Sequence, residues 1–312
     1  MLFHQISPMR MRRHAGLSEE AAMHITRRQF AALAAVLFLP GMPQAADEEN
    51  AVFWRAKSAA NDHVLFGYVR IRADSFPDIV AEGKRLVDQS KTVLIDVNPG
   101  LTLSTAKFKN SDIKPVLSGL TPSDQDELKT ILSTSPAKGA IEKLSGFEAS
   151  LLLIGEGQHA IGPDAPSIGL ALAKYGVSIG RDVKTLVADG EMQAMQKPLT
   201  LETVNSVGPD PITYLLELRR RIGPIGAYFD ELYKTRKSAE IASLGEEITA
   251  KGIVTPTDLI DADKLRALLI ERIANLPPGT NAFIILPIGL LNGPRNILGE
   301  LRFRGAEVAA IG

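Results

Sequence analysis

This chain of 312 residues has no cysteine, one tryptophan and only five histidines. Without a thiol there is no disulfide, no thiolate metal ligand and no cysteine nucleophile. An oxidising compartment is compatible with that absence but is not required by it. His4, His14 and His24 lie within the first 46 residues, so only His63 and His159 remain for the rest of the chain. A site built on three or four imidazoles is excluded by that count. A membrane-spanning length is also missing from the conspicuous apolar run: Phe30 to Leu39 is ten residues, against the roughly 20 needed to cross a bilayer. An excess of one charge is absent too. Residues 1–46 hold five of the 35 basic and two of the 36 acidic residues, leaving 30 against 34 and a formal charge of −4. That balance gives no electrostatic case for nucleic acid.

What is present begins with Thr26-Arg27-Arg28-Gln29-Phe30, followed by apolar residues to Leu39, then Pro40, Gly41, Pro43 and a small-residue end at Ala45-Ala46. Arg10, Arg12 and Arg13 lie upstream, and a buried core helix would not be followed at once by Gly41 and Pro43. Arg27, Arg28 and Phe30 therefore read as the signature of a twin-arginine export signal over residues 1–46. The expectation is a periplasmic or secreted protein with a mature domain over 47–312. Gln44, at −3 from a cut after Ala46, is not small, so an uncleaved, membrane-tethered form stays open. No cysteine follows the run, which excludes a lipoprotein anchor. Met23 offers a later start that would leave a leader of ordinary length.

The mature part, about 266 residues, is long enough for one sizeable core. Residues 52–57 and 63–71 read as strands joined at Asn61-Asp62, with His63 a turn residue. Pro77 marks a helix start, with Ser75 as its cap, running to about Gln89. Thr92 to Val97 is a continuous apolar run that suits a buried strand. From about 121 to 252 the chain reads as mainly helical, with helices at Thr121-Pro122-Ser123, 138–144, 147–153, 199–222 and 226–250, and a strand at 183–187. Thr255-Pro256-Thr257 opens a helix reaching Leu276. Residues 282–286 form a second buried strand, 295–304 a helix and 307–311 a closing strand. Sheet pieces at both ends around a helical middle predict an α/β fold: a mixed sheet from N- and C-terminal βαβ-like units with a helical insertion.

In order and spacing, residues 52–312 resemble the TraB/GumN family, which shares its fold with Tiki-type metal-dependent proteases. The resemblance rests on Phe53-Trp54, Gly67-Tyr68-Val69-Arg70, the Pro77 helix and the 92–97 strand. Glu191 and Gln193 after the 183–187 strand, Glu271-Arg272 late in a helix, and Asn292-Gly293-Pro294 before Leu301 to Val308 complete it. It implies a metal-dependent hydrolase with imidazoles at strand ends and an acid on the next strand, which would lower the pKa of a metal-bound water. This chain departs at each histidine. Arg70 stands where the first is expected, and Gly289 where the late-strand one is. Asp96 replaces a glutamate, Ala188 stands where glutamate is usual, and Ile273 follows Glu271-Arg272 where asparagine is usual. Guanidinium has no lone pair for a metal and stays charged; an Arg70–Asp96 pair would fill the vacated position. The family-equivalent positions are therefore Gly67, Arg70, Asp96, Glu271, Arg272 and Gly289, and no metal or cofactor is expected. Function is expected to be binding of an envelope peptide, glycan or protein. The alternative is a hydrolase using Asp96, Asp78 and Glu271 with Mn or Mg.

Other candidates read more simply. His159, in Gly155-Glu156-Gly157-Gln158-His159, has only Glu156 and Asp164 as local co-ligands, too few for a closed site, and reads as a solvated or capping residue. The two glycines lack the strand-to-helix setting of a nucleotide loop. Ser145 and Ser167 have no histidine partner in the sequence for nucleophilic catalysis. Arg219-Arg220-Arg221 reads as a solvated cationic helix face rather than an anion site. Arg272 is expected to line the cleft or to form a surface ion pair.

Overall fold

The computed structural model describes residues 50–97, 112–135, 139–162, 164–255, 258–293 and 296–311. Arg27, Arg28 and Phe30 of the expected export signal lie outside them, as do Pro256, Thr257, Pro294 and Arg295. In chain order the elements are β1 (Phe53–Lys57), β2 (Asp62–Tyr68), α1 (Pro77–Asp88), β3 (Thr92–Ile95), α2 (Pro122–Leu132), α3 (Gly146–Ile154) and α4 (Ile168–Ser178). They continue as β4 (Asp182–Thr185), α5 (Asp189–Met195), α6 (Leu201–Ser206), α7 (Pro209–Ile222), α8 (Ile225–Lys234) and α9 (Ser238–Ala250). The chain closes with α10 (Ala262–Ala274), β5 (Ala282–Pro287), α11 (Ile288–Leu291), α12 (Ile297–Phe303) and β6 (Glu307–Ala310). The fold is α/β, as the sequence predicts. Among the described residues no helix is long and apolar enough to cross a membrane.

One six-stranded sheet runs in the order β4-β3-β5-β2-β1-β6. β4, β3, β5 and β2 are parallel, whereas β1 runs antiparallel to both β2 and β6. β5 is central, and Ala282 to Leu286 are buried on both faces, which is why it reads as an unbroken apolar run. β4 at the sheet edge is mostly exposed, with Asp182 and Lys184 paired; charge on a short edge strand discourages pairing with another chain.

Side chains alternate across the sheet, and each face carries its own helices. On one face Phe53, Phe66 and Phe283 stack, with ring centroids 4.9 Å and 5.9 Å apart along the row. α1 and α4 cover this face by using glycine at the contacts. A Cβ at Gly176 of α4 would stand 2.8 Å from Val93 Cγ2, and one at Gly83 of α1 would stand 2.6 Å from Leu172 Cδ1. Side-chain-bearing residues at these positions would push the layers apart. On the other face α11 lies on Gly67, where a Cβ would meet Ile288 and Trp54 at 3.0 Å. The buried Tyr233 of α8 donates from its hydroxyl to the Gly67 carbonyl at 2.9 Å.

Several local expectations need correction. α4, over Ile168–Ser178, lies within the stretch expected to be mainly helical but is not among the helices placed there individually. The expected 226–250 helix breaks into α8 and α9 at Arg236, whose φ is 60°. The 199–222 helix breaks before Pro209, which cannot supply an N–H to a continuing helix and starts α7 instead. Residues 141–143 form a single 3-10 turn. Ser75 ends a 3-10 turn and does not cap α1, whose N-cap Phe76 makes no side-chain bond. The helix after Thr255 begins only at Ala262, where Asp261 accepts from the Lys264 N–H at 3.1 Å. His63 is not a turn residue: it lies within β2 opposite Ala56 and is 4% exposed.

Candidate functional site

The carboxyl ends of β2, β3, β4 and β5 share one edge of the sheet. From β3 the chain continues to β4 on one side. From β5 it continues to β6 on the other, so the chain path diverges between β3 and β5. In open α/β sheets such a switch point leaves a crevice outside the strand ends, where ligands bind. In this chain two side chains, from either side of β5, meet at that point. Asp96, at the end of β3, is held by its N–H to Ile285 O at 3.1 Å and by its carbonyl, which accepts from Val187 N at 3.0 Å. Tyr68, the last residue of β2, stands in register with Pro287 of β5. Its hydroxyl donates to Asp96 Oδ2 at 3.1 Å, reaching across the end of β5.

This contact sets the electrostatics of the crevice. Asp96 is 6% exposed, and its side-chain partner is a neutral phenol rather than a cation. Burial therefore pushes its carboxyl up to about 6, only partly opposed by hydrogen bonds from backbone N–H groups and from Tyr68. The Tyr68 phenol is pushed well above its ordinary range by burial, then by the charge and hydrogen bond of Asp96, with Arg70 acting in the opposite direction. The N-terminal turn of α4 closes over the pair: a Cβ at Gly169 would meet Ile285 at 3.2 Å and the Tyr68 ring at 3.4 Å.

The expected Arg70–Asp96 pair is not formed. Arg70 is exposed beyond the end of β2, and the aspartate takes the shorter reach to Tyr68, two residues back on the same strand. Gly67 is a packing glycine on the opposite face. Gly289 is exposed on α11, with open space where a side chain would project. Arg272 donates to Glu191 Oε1 at 2.7 Å, and Glu191 Oε2 accepts from Ala188 N at 2.9 Å. Glu191 thus caps the start of α5 and holds an arginine. Asp78 and Glu271 are exposed on their helices. Among the described residues no three His, Asp or Glu side chains gather as a metal-binding group, so Asp96, Asp78 and Glu271 are not brought together.

The remaining candidates take structural places. Ser145 caps α3, accepting from Glu148 N at 3.1 Å while Glu148 returns a bond to Ser145 N at 3.0 Å. Ser167 caps α4. His159 is exposed. Arg219, Arg220 and Arg221 do not form a free cationic face. Arg219 makes a two-point contact with Glu156 at 2.6 Å and 2.8 Å. Arg220 bonds Asp124 at 2.6 Å and Glu127 at 2.8 Å, and Arg221 reaches Glu247 at 3.3 Å. The Tyr68 hydroxyl is the group that sequence reasoning passes over; its signal is its place as the last residue of β2, at the strand end where Asp96 is sought. No family model, no curated protein and no solved structure matches this chain.

Proposed function

We propose that this chain is an exported, TraB/GumN-like envelope protein that has lost metal-dependent hydrolysis and binds a peptide, glycan or protein partner at the sheet-edge crevice. The observation that carries the reading is the Tyr68–Asp96 hydrogen bond. The acid that the resemblance assigns to a metal is instead engaged by a phenol and raised toward neutrality by burial. Among the described residues, the positions where the resemblance expects imidazole ligands do not fit a divalent ion: Arg70 offers no lone pair and Gly289 no side chain. Arg70, exposed at the rim, is the group free to meet an acidic or hydroxyl-rich partner. Elemental analysis of purified, folded protein tests the loss of metal. Less than a tenth of an equivalent of Mn, Co or Zn is expected, and one equivalent that Asp96→Asn removes would overturn the reading. Capture of a defined envelope component that Arg70→Ala releases tests the binding half.

A second reading, hydrolysis through a carboxylate site with Mn or Mg, draws on one observation. A carboxyl raised to about 6 suits proton transfer near neutral pH. Peptide hydrolysis that requires added Mn and disappears in Asp96→Asn would favour it over the binding reading.

A further inference from the structure

Away from the strand ends, α1 and α4 leave an open groove between their outer faces. Its volume is about 680 Å³, and Pro77, Val80, Ala81 and Lys84 line one wall. Ala171, Lys174, Tyr175 and Ser178 line the other. Each wall repeats at three and four residues over seven positions, so the groove runs about 10 Å along both helices. The helices run side by side in the same direction. Their N-terminal ends meet at the Ala73 N–H to Pro166 carbonyl bond, and their C-terminal ends at the Tyr175 hydroxyl bond to Asp88.

That alignment gives the groove a polarity. Near the N-terminal ends it is apolar (Ala73, Pro77, Val80, Ala81 and Ala171), and Asp74 there is already bound to Arg72. Toward the C-terminal ends it carries Lys84 and Lys174. Lys84 Nζ lies 5.2 Å from the centre of the Tyr175 ring, and among the described residues neither lysine is paired with a carboxylate. We propose that this groove binds a single-chain fatty acid, its acyl tail over the alanines and Val80 and its carboxylate against Lys84 and Lys174. The walls decide against an extended peptide: helix backbone groups are bonded within their own helices, so a bound strand would leave its amides unpaired. An acyl chain has no such groups, and burying it is favourable at roughly 0.8 kcal/mol per methylene.

The test is calorimetric titration of the folded full chain with dodecanoate below its micelle concentration. One site is expected, with butyrate (carboxylate without tail) and dodecyl maltoside (tail without charge) at least tenfold weaker. Lys84→Glu combined with Lys174→Glu should weaken dodecanoate binding at least tenfold. Ala81→Phe, which fills the groove from an exposed position, should abolish it with an unchanged melting temperature. Failure of dodecanoate to bind would overturn the proposal. So would equal binding by the reversal and wild-type chains, or binding of phosphatidylglycerol vesicles with none of dodecanoate. None of these outcomes bears on Tyr68 or Asp96, so the crevice reading stands or falls separately.

Discussion

The molecule treats charge in two opposite ways, one at the strand ends and one on α7. On α7 three consecutive arginines, themselves partly or fully exposed, each meet a carboxylate on α2, α9 or the loop after α3, and even the buried Asp124 has an arginine bonded to it. In the sheet, Asp96 and His63 are almost fully buried and neither has an opposite charge bonded to it; both His63 ring nitrogens lack a hydrogen-bond partner. The first arrangement tolerates ionisation and gains little from it. The second opposes ionisation, and so makes stability depend on pH. A charged residue in the sequence therefore carries no fixed energetic meaning until its surroundings are known.

The largest expected effect is at Asp96. Its folded-state value of about 6 stands above the ordinary value of 3.8, so the stability it contributes is complete below about pH 4 and is lost as pH rises through 6. Asp96→Asn removes that loss. It should stabilise the protein by up to about 3 kcal/mol at pH 8, from a displacement of roughly two units, and by nothing at pH 4. Urea denaturation at the two pH values checks this, and a pH-independent difference would contradict it. Tyr68→Phe should move stability the other way at pH 8, by about 1–3 kcal/mol, because the carboxylate loses its side-chain donor.

His63 comes next, with the opposite sign. Burial lowers its pKa from the ordinary 6.5, opposed by Asp62. Stability from the neutral ring is present above 6.5 and lost as pH falls through the lowered value. His63→Leu should remove the unpaired nitrogens and raise stability by about 1–2 kcal/mol, more at pH 5 than at pH 8. Thermal melts across that range would reveal a flat difference if the ring were not the cause.

Smallest are the arginines of α7. Arg219, with Glu156, is partly buried and two-pronged, and Arg219→Ala should cost about 1–2 kcal/mol. Arg221, with Glu247, is largely exposed, and Arg221→Ala should cost less than about 0.5 kcal/mol and vanish in high salt. Equal costs for the two would remove the distinction between partly buried and exposed pairs.

The sequence made the sheet more legible than the charge pattern. β5 announces itself by its unbroken apolar run, the β1–β2 turn by Asn61, and α2 by Thr121, which accepts from Asp124 N at 3.2 Å. These signals are local. α4 carries glycines at 169 and 176, unfavourable for a helix alone, whose use shows only against a sheet surface assembled from distant strands. The partners of Arg219 and Arg220 lie 63 to 96 residues away, beyond any local pattern. Asp96 was identified from its place at a strand end. Its partner was not, because the expected strand runs on to residue 71, whereas β2 ends at Tyr68 and leaves Arg70 outside the sheet.

The position of β5 also governs when this protein can become itself. The strand that separates β3 from β2 comes from residues 282–287, close to the end of the chain. Until residues 282–287 are in place, the β1–β2 hairpin and the β3–β4 pair have no strand between them to make one continuous sheet. Joining them is a contact between residues far apart in sequence, the kind that slows folding. Deletion of residues 282–287 would therefore leave two separate sheet fragments in place of one sheet.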